Sequence, residues 1–177
     1  PHMRPRLPPA LATPAWLAAA KPSTKALLLS EQLIQEVEGA DAVVIGTPMN
    51  NFTVPSVLKA WIDQILRVGR TIKSTPAGKV GMLQDRPVFV AIASGGFFTG
   101  VGANQAHFLT PYLSAALGCI GLKTVHYLPL QGTAFIDEAR IDEMRRSLVD
   151  MVVPVPRKAP FVTGELLHVH SEQSADR

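Results

Sequence analysis

Ala42-Val43-Val44-Ile45-Gly46-Thr47-Pro48-Met49-Asn50-Asn51-Phe52-Thr53-Val54-Pro55 is the stretch that decides the fold of this chain. It opens on a short, unbroken apolar run rich in β-branched side chains. Such a run suits a parallel strand buried on both faces, although its periodicity alone would also fit a buried helix. Thr47 to Thr53 then reads as a loop, and Pro55 suits the first turn of a helix. Val54, Val57, Leu58, Trp61, Ile62 and Ile65 form the apolar stripe of that helix, with Lys59, Asp63 and Arg67 expected to face water.

The same alternation continues on both sides. Upstream, Ser23 or Thr24 can cap a helix whose apolar face is read as Ala26, Leu29, Leu33, Ile34 and Val37, with Gly39 as its stop. Downstream, residues 69–86 carry Gly69, Pro76, Gly78 and Gly81 and read as an excursion or loose hairpin. A second apolar strand, Val88 to Ile92, runs into Ala93-Ser94-Gly95-Gly96. A helix follows through Leu109, Tyr112, Leu113, Ala116, Leu117 and Ile120, closed by Gly118 or Gly121, with Pro111 either starting or kinking it. Val125 to Leu130 reads as a third strand, and Ile136 to Met151 as a last amphipathic helix with Asp137 and Glu138 near its start. Strands alternating with helices predict an α/β fold, a parallel sheet with helices on both faces. In such sheets ligands bind beyond the carboxyl ends of the strands.

Composition narrows the function classes. A length of 177 residues is the size of one domain, and 47% hydrophobic with 18% charged residues fits a folded globule. The net charge of +3, mixed along the chain, is no nucleic-acid footprint. One cysteine, Cys119, excludes an internal disulfide framework. No apolar run reaches the ~18 residues of a membrane span and no leader pattern opens the chain, so a cytoplasmic protein is expected. Residues 1–22 are read as a proline-rich arm holding Pro5, Pro8, Pro9, Pro14 and Pro22, of which residues 1–3 look like a cloning scar. Residues 23–151 are read as the α/β domain and 152–177 as an extension. Within the extension, residues 161–170 have strand-like character and could pair with an exposed sheet edge.

Two strand-end loops are the leading site candidates. In the first, Asn50 and Asn51 tolerate a strained backbone and offer amide groups to a polar ring edge, while Met49 and Phe52 offer soft and flat apolar contact. In the second, Ala93, Ser94, Gly95 and Gly96 permit close backbone approach. An ordinary strand-to-helix turn would explain either loop taken alone. Neither is a phosphate loop of the G-x-x-x-x-G-K-[ST] type or a G-x-G-x-x-G fingerprint. His168 and His170 lack a third ligand nearby in sequence, Cys119 sits in an apolar helix, and His107 and His126 lack the partners of a hydrolytic triad. Arg67, Arg70, Lys73, Lys79 and Arg86 cluster around the excursion. A solvated face is the default for them, and a phosphate-bearing ligand could use some of them.

Taken together, Gly46-Thr47-Pro48-Met49-Asn50-Asn51-Phe52 followed by Pro55-Ser56-Val57-Leu58-Lys59-Ala60-Trp61-Ile62-Asp63 resembles the FMN-dependent NADH-azoreductases. These are flavodoxin-like proteins with a P-M-Y-N-F loop before such a helix. The resemblance continues through Arg67-Val68-Gly69-Arg70-Thr71, Ser94-Gly95-Gly96, Leu109-Thr110-Pro111-Tyr112-Leu113 and Leu117-Gly118. It implies a homodimeric flavoenzyme that passes a hydride from NADH or NADPH to FMN and then to a quinone or azo compound. By position, Met49, Asn50, Asn51 and Phe52 would hold one side and edge of the flavin ring, and Ala93, Ser94, Gly95 and Gly96 the other edge. The flavin carries the chemistry, so no catalytic side chain and no metal are expected.

Asn50 replaces the usual tyrosine, Phe98 stands where histidine often follows the Gly-Gly pair, and Ser74 falls near another family aromatic. These departures are expected to thin the aromatic lining. The resemblance also implies an N-terminally truncated flavodoxin-like sheet, because the family's first strand, its phosphate loop and its second strand have no counterpart in the sequence. The 42–46 strand would then be a sheet edge. A flavin-free remnant acting as an oligomeric scaffold or binding protein is the alternative function. A hydrolase reading finds no nucleophile or metal constellation.

Overall fold

A computed structural model describes residues 25–152. The proline arm, the caps at Ser23 and Thr24, and the extension from residue 153 onward, including His168 and His170, lie outside the described residues. In order, the elements are α1 (Lys25–Gly39), β1 (Val43–Pro48), α2 (Ser56–Ile65), β2 (Ile72–Thr75), β3 (Gly78–Gly81), β4 (Val88–Ser94), α3 (Leu109–Ile120), β5 (Val125–Gln131) and α4 (Glu138–Asp150).

β1, β4 and β5 form one parallel sheet in the order β1-β4-β5, so among the described residues β1 is an edge strand, as expected. The register aligns Val43 with Val88 and Val88 with Val125. Successive side chains alternate between faces, which sorts the sheet into two. On one face Ile45, Val88, Val90 and Ile92 join Ile34 and Val37 of α1, Ile62 and Ile65 of α2, and Leu109, Leu113, Leu117 and Ile120 of α3. This is the core. On the other face, among the described residues, α4 packs against β5, and the sheet there carries the stacked pair Phe89–His126 and Leu128. An apolar groove of about 620 Å³ remains there, between Leu148, Val149 and Val152 and the sheet residues Gly46, Pro48, Ala91, Ala93 and Leu130. Helices thus cover both faces of an α/β sheet, but unequally.

The strands run further than the apolar runs suggested. Thr47 and Pro48 still pair with Ile92 and Ala93, and Ser94 still pairs with Gln131. Residues assigned to loops are therefore the last rungs of two strands; Pro48 stands at the very end of β1, an edge strand among the described residues. The excursion is a hairpin, β2 against β3, joined by Pro76-Ala77. It is anchored by the Leu83 amide donating to the Ile120 carbonyl (2.9 Å). At that junction Gly121 ends α3 in the left-handed region (φ 111°), and a Cβ there would lie 2.3 Å from the Leu83 carbonyl oxygen. Gly121 rather than Gly118 is the stop, and Pro111 sits in the first turn.

Three expectations about helix faces are corrected. Leu29 is 54% exposed, and the buried stripe of α1 is Leu27, Ser30, Ile34 and Val37. Val57 is likewise exposed, leaving Ile62 and Ile65 as the buried positions of α2. Arg67 does not face water: it is buried, donating to the Ser30 hydroxyl (3.1 Å) and pairing with Glu31.

The basic cluster is largely structural. Arg70 grips Glu38 with both terminal nitrogens (2.7 and 2.6 Å) and reaches Glu31 through Nε (3.0 Å). The buried Arg86 donates from Nη1 to the carbonyls of Val37, Glu38 and Ala40, satisfying the acceptors that the end of α1 leaves open. Three arginines thus clamp α1 to the body, and only Lys73 and Lys79 of the five are exposed. Burial raises the pKa of Glu31, but the Arg67 and Arg70 hydrogen bonds outweigh it and the net shift is downward. Glu38 is lowered chiefly by its hydrogen bonds to Arg70.

Candidate functional site

At the carboxyl end of the sheet the two predicted loops lie side by side. The Met49 amide donates to the Ala93 carbonyl (2.8 Å), carrying the β1–β4 ladder one rung past the strand. The chain then reverses at once. Asn50 and Thr53 exchange two backbone hydrogen bonds of 2.9 Å around Asn51 and Phe52. Both central residues have left-handed backbone, at φ 45° and 68°, the geometry of a type I′ turn. Asparagine tolerates this conformation, whereas an aromatic residue rarely adopts it. The Phe108 amide braces the turn by donating to the Phe52 carbonyl (2.9 Å). Backbone strain held in place by its surroundings clusters at functional sites.

The second loop is held equally firmly. The Ser94 carbonyl accepts from both the amide and the hydroxyl of Thr133, each at 3.1 Å. Gly132 and Ala134 donate to the carbonyls of Gly96 and Gly95. Gln131, the last residue of β5, accepts from the amides of Phe98 and Thr99 at 3.0 and 3.1 Å. Gln105 lies between the loops: its Nε2 donates to the Ser94 hydroxyl (2.9 Å) and approaches the Met49 sulfur (3.6 Å). A Cβ on Gly96 would lie 2.9 Å from the Gln105 Oε1, so the end of that amide packs against bare glycine backbone.

The structure therefore brings Met49, Asn50, Asn51 and Phe52 together with Ala93, Ser94, Gly95 and Gly96. Ser94 is buried, Met49 half-buried, and Asn50, Asn51 and the 46%-exposed Phe52 stand at the surface. Phe98 does not line the crevice. It is 5% exposed and packs against the His107 ring, whose Nε2 meets the Thr110 hydroxyl (2.6 Å). Burial holds the His107 imidazole below its ordinary pKa. Ser74 lies on the hairpin strand β2. Gln105, Gln131 and Thr133 escaped sequence reasoning. Gln131 could have been flagged as a polar residue at a strand end; Gln105 carries no spacing signal, and only the fold brings it here.

These features suit a flat ring with a polar edge. An apolar thioether and an aromatic ring stand beside two asparagine amides, opposite a glycine pair that exposes backbone. Among the described residues no group of three or more histidine, cysteine, aspartate or glutamate side chains could hold a metal, and no helix is long and apolar enough to cross a membrane.

Comparison with known proteins follows the same lines. FMN-dependent NADH:quinone oxidoreductase 5 of Burkholderia lata is 54% identical over 134 residues, 76% of this chain and 65% of that protein. FMN-dependent NADH:quinone oxidoreductase 4 of Pseudomonas fluorescens is 52% identical over 123 residues, 68% and 60% of the two chains. The chain thus spans less than two thirds of the length of these relatives. Among solved structures, the FMN-dependent NADH-azoreductase of Bacillus anthracis str. Ames Ancestor in complex with FMN superposes with a TM-score of 0.60. It shares 29% identity, over 69% of this chain and 61% of that one. A family described as flavodoxin-like fold matches residues 3–152, all of the sheet and all of both loops, and the chain belongs to it.

Proposed function

We propose that the chain is an FMN-dependent oxidoreductase that moves electrons from NADH or NADPH to quinones or azo compounds. The observation that carries this is the strained Asn50–Thr53 turn set beside Gly95-Gly96 at the sheet's carboxyl end. The names of the relatives at 54% and 52% identity, and the FMN complex among the superposed structures, support it. When bound, FMN would supply the acceptance of a hydride and its delivery to the acceptor.

The protein's part is to bind and orient. Met49 and Phe52 offer apolar contact to the ring. Asn50 and Asn51 offer amide donors and acceptors at its edge, and Ala93, Ser94, Gly95 and Gly96 face it chiefly with backbone. Use of a nicotinamide donor fits a cytoplasmic location. A homodimer belongs to the same reading, supported by the apolar second face of the sheet, where Val44 is 77% exposed. That exposed face and the edge strand β1 also favour a second reading, a flavin-free scaffold built on self-association.

An absorption spectrum separates the two. The purified chain is mixed with excess FMN, desalted, and scanned in the visible. Retained flavin near one per chain, followed by NADH or NADPH oxidation with a quinone or azo dye, is the expected result. A colourless protein that remains oligomeric would leave the scaffold.

A further inference from the structure

Gln105 comes from the irregular stretch between β4 and α3, and its backbone surroundings are fixed. Asn104 donates to the Phe97 carbonyl (3.0 Å) and Ala103 to that of Gly100 (3.2 Å), while Phe108 is tied to Phe52. Its side chain touches both ring loops, on Met49 and Ser94. The amide turns its nitrogen toward Met49 and Ser94, which suits a thioether sulfur that accepts and does not donate. The carbonyl oxygen is left beside Gly96, and among the described residues it accepts no hydrogen bond. Ordering a glutamine side chain costs rotamer freedom that its contacts must offset. The nitrogen is committed to the bridge, and the oxygen is the acceptor the bridge leaves open.

We propose that Gln105 is a flavin-binding residue whose Oε1 accepts a hydrogen bond from the single N–H of the oxidised isoalloxazine ring. The inference rests on the FMN reading above. A neutral amide oxygen suits a neutral imide N–H, and its anchoring on the buried Ser94 means little further ordering is needed on binding.

The test is a chemical double-mutant cycle on the full chain, stripped of flavin and titrated by quenching of flavin fluorescence. The ligands are FMN and FMN methylated at that ring nitrogen; the proteins are wild type, Gln105→Leu and Gln105→Glu. One hydrogen bond corresponds to roughly a 3- to 10-fold change in Kd. Wild type should prefer FMN over its methylated analogue by about that factor, and Gln105→Leu should bind the two equally. Gln105→Glu loses the donor to Ser94 but keeps an acceptor, so it should bind FMN more weakly yet still discriminate. Equal discrimination by wild type and Gln105→Leu, or tighter FMN binding by Gln105→Leu, would overturn the proposal while leaving the FMN reading intact. Failure of wild type to bind FMN at all would overturn both.

Discussion

Replacing Arg86 by methionine should unfold this protein more readily than any change at the exposed lysines of the same basic stretch. The side chain is 5% exposed, and its Nη1 serves three carbonyls at the end of α1: those of Glu38 and Ala40 at 2.7 Å each, and that of Val37. Nε and Nη2 also reach the Gln84 carbonyl at 3.3 and 3.2 Å. Methionine keeps the apolar stem and removes every donor. Hydrogen bonds from a charged donor contribute about 1.5–3 kcal/mol each. The three on α1 share one nitrogen, however, and water can reach part of a helix end once the guanidinium has gone. A loss of roughly 3 kcal/mol is therefore expected rather than the full sum.

Urea unfolding followed by far-UV circular dichroism reads this directly. With a slope of about 1.5–2 kcal/mol per molar urea, the midpoint of Arg86→Met should fall by about 1.5–2 M. Lys79→Met, at an exposed hairpin position, should stay within about 0.3 M of wild type. Arg86→Lys keeps the charge but loses the fork of donors, so it should recover less than half of the loss. A midpoint for Arg86→Met within 0.3 M of wild type, by the same order-of-magnitude scale, would refute the clamp, as would full recovery by lysine.

Further outcomes follow from the same geometry. Gly121→Ala combines left-handed backbone with a 2.3 Å approach to the Leu83 carbonyl oxygen, and should cost about 2–4 kcal/mol, read as a fall in Tm. Phe52→Gly removes the penalty of φ 68°, so Tm should hold or rise by up to about 3 °C while FMN retention falls; a marked drop in Tm would show that the turn is not strained. Glu31 and Glu38 have folded pKa values below their ordinary one, so their contribution is fully present above the unfolded value of about 4.3 and is lost as pH falls through the folded values. Arg70→Met removes a shared partner and should flatten the decline of stability below about pH 5, followed by urea midpoints from pH 7 to 3.

What the sequence made legible was what periodicity and order encode. Three apolar runs spaced by helical patterns are enough for a parallel sheet, and the two loops that follow the first two runs are enough to put Met49–Phe52 beside Ala93–Gly96. Strand ends were less legible, because Thr47, Pro48 and Ser94 are polar or ring-locked residues that pair only because a neighbouring strand offers partners. Helix faces went wrong at Leu29 and Val57, which are apolar but point away from the core. Hydrophobicity says that a side chain can be buried; which third of the helix is covered depends on neighbours that a local window does not contain.

The arginines show the deeper limit. Arg67, Arg70 and Arg86 are near one another in sequence, and a charge cluster by itself reads as a solvated face or an anion site. Their partners Glu31, Glu38 and the carbonyls at the end of α1 lie 32 to 49 residues away. An isolated buried charge would be prohibitively costly, so each burial requires a partner, and the fold supplies all three from one helix. The consequence reaches the candidate site. α1 packs against α2, the helix that leaves the Asn50–Thr53 turn, and Ser30 accepts from Arg67 while donating to the Gln64 carbonyl at the end of α2 (2.6 Å). The cluster whose default reading in sequence is a solvated face instead fixes the helix behind the ring loop. With their guanidinium groups turned to α1, these three do not form the open anion site that the charge cluster suggests.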